Sequence, residues 1–198
     1  MASFDPTRAR AELETVPEAE RESWLAQLWG DETFDDERAA LPQGCVPYLP
    51  CPLDTLCDAV AGTGMTSDDV FVDIGAGSGR AIALVHLLTG ASCIGIEIQP
   101  GLVRVARTRA ARLELEGVDF REGDAAQVLP TLGIGSVYFL YCPFGSDRLE
   151  RVLDQLEHEA RKRPIRIACV QLPRLVRPWL SPIPTTSVEL DVYRSTLP

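Results

Sequence analysis

From residue 70 onward the chain alternates short apolar runs with longer amphipathic stretches. Residues 70–74 (VFVDI), 92–98 (SCIGIEI), 137–142 (VYFLYC) and 166–172 are short and rich in Val, Ile, Phe, Tyr and Cys. That is the composition of strands buried on both faces. A further strand is predicted over 118–122. Between these runs, apolar residues recur at helical spacing over 79–90, 100–116, 126–132 and 146–162. Leu149, Val152, Leu153 and Leu156 form the stripe of the last one. Pro100 stands at a first helical position, Gly117 follows the second helix, and Pro164 stops the last. Strands alternating with helices predict an α/β architecture, a doubly wound and mostly parallel sheet with both faces covered.

The flanks read differently. Residues 1–40 are polar and acidic, with one helical pattern after Pro17 that places Trp24, Leu25 and Leu28 on one face and ends at Gly30. Residues 1–46 are expected to form an N-terminal helical cap or lid on a domain spanning 47–198. Pro42, Pro47, Pro50 and Pro52 predict an extended, ordered loop. A helix over 53–61 follows, ended by Gly62-Thr63-Gly64. After Pro173 a proline-rich segment leaves room for a single last strand near 187–194, antiparallel beside the strand at 166–172.

Composition narrows the class. At 198 residues with 45% apolar content the chain is one globular domain with a sizeable core. No apolar run reaches the roughly 20 residues that span a bilayer, and MASFDPTRARAELE has no signal-peptide core, so the expectation is a cytoplasmic protein without a membrane. A net charge of −10 disfavours nucleic acid, whose phosphates demand basic surface. The basic run Arg161-Lys162-Arg163 with Arg166 falls at a predicted helix end, where cations complement the helix dipole. Cys45, Cys51, Cys57, Cys93, Cys142 and Cys169 form no C-x-x-C, and His86 and His158 lie on separate helices, so no metal site is expected.

The chemistry concentrates in residues 70–80, VFVDIGAGSGR. A buried strand ends in an acid, glycines turn the chain, and a helix leaves with free N–H groups at its start. The dinucleotide fingerprint G-x-G-x-x-G would need a third glycine where this chain has Arg80. Asp73, two residues before the first glycine, would repel a pyrophosphate and suit a ligand with a cationic end. A structural glycine turn is the bland alternative. The stretch Asp73, Gly75, Ala76, Gly77, Gly79 closely resembles motif I of the class I S-adenosylmethionine-dependent methyltransferases, which implies their Rossmann-like fold, here with a shortened C-terminal end, and S-adenosyl-L-methionine as cofactor.

In register with that motif, Glu97 ends the second strand and Asp124 follows the third, in EGDA. The resemblance implies that Glu97 holds ribose hydroxyls, that Ile98 packs on adenine, and that Asp124, with the Ala125 N–H, meets the adenine edge. Tyr48 is either a wall of the cofactor site or packing for the adjacent helix. At the end of the fourth strand, methyltransferases of bases and glutamines carry Asn or Asp with prolines and an aromatic. This chain has Tyr141, Cys142, Pro143 and Phe144, so that subclass is not indicated. These four residues are candidates for an apolar acceptor slot, Phe139 is expected in the core, and no catalytic residue is assigned. The abrupt ending and the VARTRAAR helix are similar to small protein-lysine methyltransferases of the ATP-synthase c-subunit and non-SET histone types, which implies a protein lysine as methyl acceptor. A small-molecule acceptor, or an inactive scaffold that keeps the fold, stands as the alternative.

Overall fold

The computed structural model describes residues 6–30, 41, 43–141 and 145–197. Helices α1 (Pro6–Thr15) and α2 (Arg21–Trp29) precede α3 (Leu53–Thr63). The alternating part follows as β1 (Val70–Ile74), α4 (Arg80–Thr89), β2 (Ser92–Glu97), α5 (Pro100–Arg112), β3 (Val118–Glu122), α6 (Ala125–Leu132), β4 (Val137–Tyr141), α7 (Ser146–Ala160) and β5 (Arg166–Val170). Two strands close the chain, β6 (Leu180–Ile183) and β7 (Leu190–Ser195).

The strands form one seven-stranded sheet in the order β3-β2-β1-β4-β5-β7-β6. The first five are parallel, and β7 runs antiparallel to both β5 and β6. The sheet turns back between β1 and β4, so their carboxyl ends open a crevice, as at other switch points of open α/β sheets.

Alternation along each strand splits the core in two. Phe71 and Phe139 face one layer, with their rings 5.9 Å apart, under α3, α4 and the N-terminal helices. Val72, Ile74, Tyr138 and Leu140 face the other, under α6 and α7. Phe139 is core, as expected, with 1% of its surface exposed.

Two expectations need correction. The end of the chain forms two strands, not one. Pro182 hides the additional strand in the sequence, yet it sits in β6 at the sheet edge, where a missing N–H breaks no ladder. The shortening lies in the connection, since residues 171–179 contain no helix. Helix α5 also stops at Arg112, well before Gly117. Glu114 takes a left-handed φ of 49°, and Leu115 N–H donates to Ala110 O while Glu114 N–H donates to Ala111 O. That is the Schellman pattern with glutamate in the usual glycine position.

Helix α1 has too few apolar residues for its period to show, and of its described side chains only Leu13 reaches the core. In α2, Leu25 and Trp29 are buried, while Trp24 and Leu28 pack at the margin of the same cluster. The Trp29 indole N–H donates to Ser78 O at 3.2 Å, which fastens α2 beneath the glycine turn.

Candidate active site

The turn after β1 extends the pairing with β2, because both Gly75 and Ala76 N–H groups donate to Ile96 O at 2.9 Å. Gly79 has φ +85°, and a β-carbon there would stand 2.6 Å from the Phe120 ring. Only glycine permits that approach, so Phe120 of β3 supports the turn from below. Above it, a β-carbon on Gly77 would stand 2.0 Å from the Tyr48 ring. The Tyr48 hydroxyl lies 3.0 Å from Ser78 Oγ. The proline-rich loop thereby lays an aromatic ring across the glycine turn.

The site where the dinucleotide pattern would want glycine holds Arg80, which is buried and paired with Glu22 of α2. The other Glu22 oxygen accepts from Leu53 N–H at 2.6 Å, at the start of α3. A single surface carboxylate thus joins α2, α3 and α4.

Glu97, at the end of β2, bridges two loops. One carboxylate oxygen accepts from Gly77 N–H and the other from Gln99 N–H, each at 2.8 Å. Asp73 is 4% exposed. Burial first, then the like charge of Glu97, push its carboxyl up to about 8. At neutral pH this favours the protonated carboxyl. Asp124 caps α6, accepting from Ala126 N–H at 3.0 Å, and its second oxygen pairs with Arg148 Nη1 at 2.6 Å.

Glu97 and Asp124 border a cleft with about 850 Å³ of empty space, its open mouth included. Gly75, Glu97, Ile98, Asp124, Ala125, Tyr48 and half-buried Tyr141 lie on its wall. Asp73, Ala76, Gly77 and Gly79 sit behind that wall, in and under the turn that Tyr48 covers. Cys142, Pro143 and Phe144 fall outside the described residues.

Sequence reasoning passed over Arg148 and Gln171, which also line the cleft. Arg148 comes from the first turns of α7, and besides Asp124 its Nε donates to Gln43 O at 3.1 Å. With Gly145 N–H donating to Gly44 O at 2.7 Å, it ties the loop before Tyr48 to α7. Its place at a helix start, where acids are usual, was the available signal.

Burial pushes the Cys51, Cys93 and Cys169 thiols up, so none is an activated nucleophile. Among the described residues no group of three or more His, Cys, Asp or Glu is arranged to hold a metal, and no helix is long and apolar enough to cross a membrane.

Residues 65–136 match the family model of a methyltransferase domain. No curated protein matches the chain. Among solved structures, the chain is similar to an RNA methyltransferase from Salinibacter ruber in complex with S-adenosyl-L-homocysteine, with 24% identity, TM-score 0.55, and coverage of 76% of this chain and 94% of that one. It is similar to a putative methyltransferase from Escherichia coli, with 20% identity, TM-score 0.60, and coverage of 78% and 90%. It is also similar to a precorrin-6y C5,15-methyltransferase from Geobacter metallireducens, with 15% identity, TM-score 0.56, and coverage of 78% and 93%. At these identities the likeness is one of fold.

Proposed function

We propose that this chain, which carries a class I S-adenosylmethionine-dependent methyltransferase domain, binds its cofactor along the ends of β1, β2 and β3 and methylates an amine, a lysine side chain of a protein. The observation that carries the reading is the line of three acids at or just beyond the ends of three adjacent strands, Glu97 and Asp124 on the wall of one cleft and Asp73 buried behind it. Asp73 gives the test of fit. Its buried carboxyl has no cation offsetting it among the described residues, and the cofactor's amino-acid end carries an ammonium.

In this reading Asp73 and the turn Gly75, Ala76, Gly77 and Gly79 hold the ammonium end once the Tyr48 ring moves off Gly77. Glu97, fixed by two backbone N–H groups, accepts from ribose hydroxyls. Ile98 and Ala125 flank the adenine, and Asp124 faces its amino group, held in place by the cap of α6 and by Arg148. Bound there, the sulfonium supplies an electrophilic methyl that passes to an acceptor lone pair while sulfur keeps the C–S electrons. The protein's contribution is to align the two, and positioning of this kind supplies up to ~7–11 kcal/mol. Tyr141 lies on the acceptor side, where an aromatic face attracts a cationic head.

A lysine acceptor suits a chain of net charge −10, in which the basic run Arg161, Lys162, Arg163 and Arg166 pairs with Glu157, Glu159 and Asp69. Calorimetric titration with S-adenosylmethionine and S-adenosylhomocysteine, with NAD as control, tests the cofactor. Binding of the first two and not the third is expected, with Asp73→Ala removing it. Transfer of labelled methyl to lysine-bearing proteins, and not to RNA or small amines, is the result expected for the acceptor. Labelling confined to RNA would overturn that assignment and leave the cofactor reading standing.

A further inference from the structure

Gln171 is the first residue beyond β5, and its φ is +52°. A left-handed backbone is uncommon for a residue with a side chain, and such residues concentrate at functional sites. Its N–H donates to Glu189 O at 3.3 Å, which holds the bend against the start of β7. Val170 pairs with Tyr141, so Gln171 leaves β5 beside the end of β4. The bend turns the exposed side chain onto the cleft wall that Tyr141 shares.

On that wall the Gln99 side chain, beyond β2 and so two strands away from β4, is uncommitted among the described residues, while the charged groups are engaged. Glu97 grips two backbone N–H groups, and Asp124 and Arg148 hold each other. The Gln171 carboxamide makes no hydrogen bond with the described residues. It offers a carbonyl oxygen that accepts and an NH₂ that donates. Two features, strained backbone and an uncommitted amide, therefore meet at the β4–β5 end of the cleft.

We propose that Gln171 is the positioning residue for the methyl acceptor, its Oε1 accepting a hydrogen bond from the acceptor amine. This rests on the cofactor reading above. The amine enters neutral, its N–H held by Gln171 so that its lone pair faces the methyl. The new N–C bond takes that lone pair, the C–S electrons stay on sulfur, and the methylated ammonium sheds its proton to water. Gln171 neither gives nor takes a proton.

Two cofactor analogues test this without a known acceptor. S-adenosylhomocysteine lacks the transferable group, and sinefungin puts a charged N–H donor where the methyl would stand, one bond length short of the acceptor nitrogen and within the swing of the Gln171 side chain. The full-length wild type is expected to bind sinefungin more tightly than S-adenosylhomocysteine, by about tenfold, the size of one hydrogen bond to a charged group. Gln171→Ala and Gln171→Gly are each expected to abolish that preference while leaving the affinity for S-adenosylhomocysteine unchanged. Gln171→Gly removes the backbone constraint, so its melting temperature should equal or exceed that of the wild type, which separates lost positioning from lost folding. A preference that survives in both variants overturns the proposal, as does its absence in the wild type. An equal loss of both affinities overturns it too, and assigns Gln171 a structural part. Wild type that binds neither analogue would remove the cofactor reading itself.

Discussion

The ring of Tyr48 lies across Gly77 so closely that a β-carbon there would come within 2.0 Å of it. The relationship makes the proline-rich loop and the glycine turn one unit. Gly77→Ala meets two penalties, the ring and a φ of +54°. The expected result is a loss of roughly 1–3 kcal/mol in stability, the range for strained left-handed backbone and overpacking. Adding Tyr48→Ala should return only the part due to the ring. Urea denaturation of the two single variants and the double variant measures that coupling.

Asp73 links stability to pH. Its carboxyl sits at about 8 in the folded chain and at about 3.9 when unfolded. Between those values the folded state holds a proton that the unfolded state has released. This group's contribution is thus fully present below the unfolded value and is lost as pH rises through about 8. Asp73→Asn keeps the shape and removes the charge. The variant should melt higher than wild type at pH 8, with a flatter dependence from pH 5 to 8, by about 2–4 °C for each 1 kcal/mol in a chain of this size. It should also lose S-adenosylhomocysteine binding, about tenfold or more. On the proposed reading, wild-type binding below pH 8 releases a proton, which calorimetry in buffers of different ionisation enthalpy detects.

Glu22 carries two contacts, with Arg80 and with Leu53 N–H. Its side chain is 55% exposed, so water screens the ion pair and the cost of losing it is modest, ~1 kcal/mol. The buried partner is the more sensitive side. Glu22→Ala leaves the Arg80 charge without its carboxylate, whereas Arg80→Met removes the charge and keeps the volume. Midpoints of urea unfolding should fall further for Glu22→Ala than for Arg80→Met. The reverse order would show that the guanidinium stem, not its charge, holds α2 to α4.

Asp124 serves both as cap and, on the proposed reading, as adenine partner. Asn caps helices as well as Asp does. Asp124→Asn should therefore cost α6 little, while Asp124→Ala costs about 1 kcal/mol. Both lose the ion pair with Arg148 and both should weaken S-adenosylhomocysteine binding. A melting series run beside titrations separates the two roles, because only the Ala variant should be thermally impaired.

Much of the fold was legible because its signals are local and repeated. The strand runs at 70–74 and 92–97 and the stripe of α7 stand out in the sequence, and the spacing of Asp73, Glu97 and Asp124 puts each acid at a strand end. What escaped depends on neighbours. Pro182 argues against a strand until the strand is known to be at an edge. Glu114 ends α5 in a conformation that sequence assigns to Gly117. Arg148 reads as one of several charges on α7, and only the fold brings it 2.6 Å from Asp124. Nothing in the local sequence of Gln171 announces a left-handed bend. Arg80 read as a departure from a glycine pattern, and its burial against Glu22 links residues 58 positions apart.

Glu97 holds Gly77 N–H with one oxygen and Gln99 N–H with the other, at equal distances of 2.8 Å. It acts as a strut of fixed length between the loops that leave β1 and β2. Glu97→Asp, shorter by one methylene, keeps the charge yet cannot span both amides, so the gap between the two loops would have to be set by something else. The width of the cleft at its base is in this sense a property of one side chain's length.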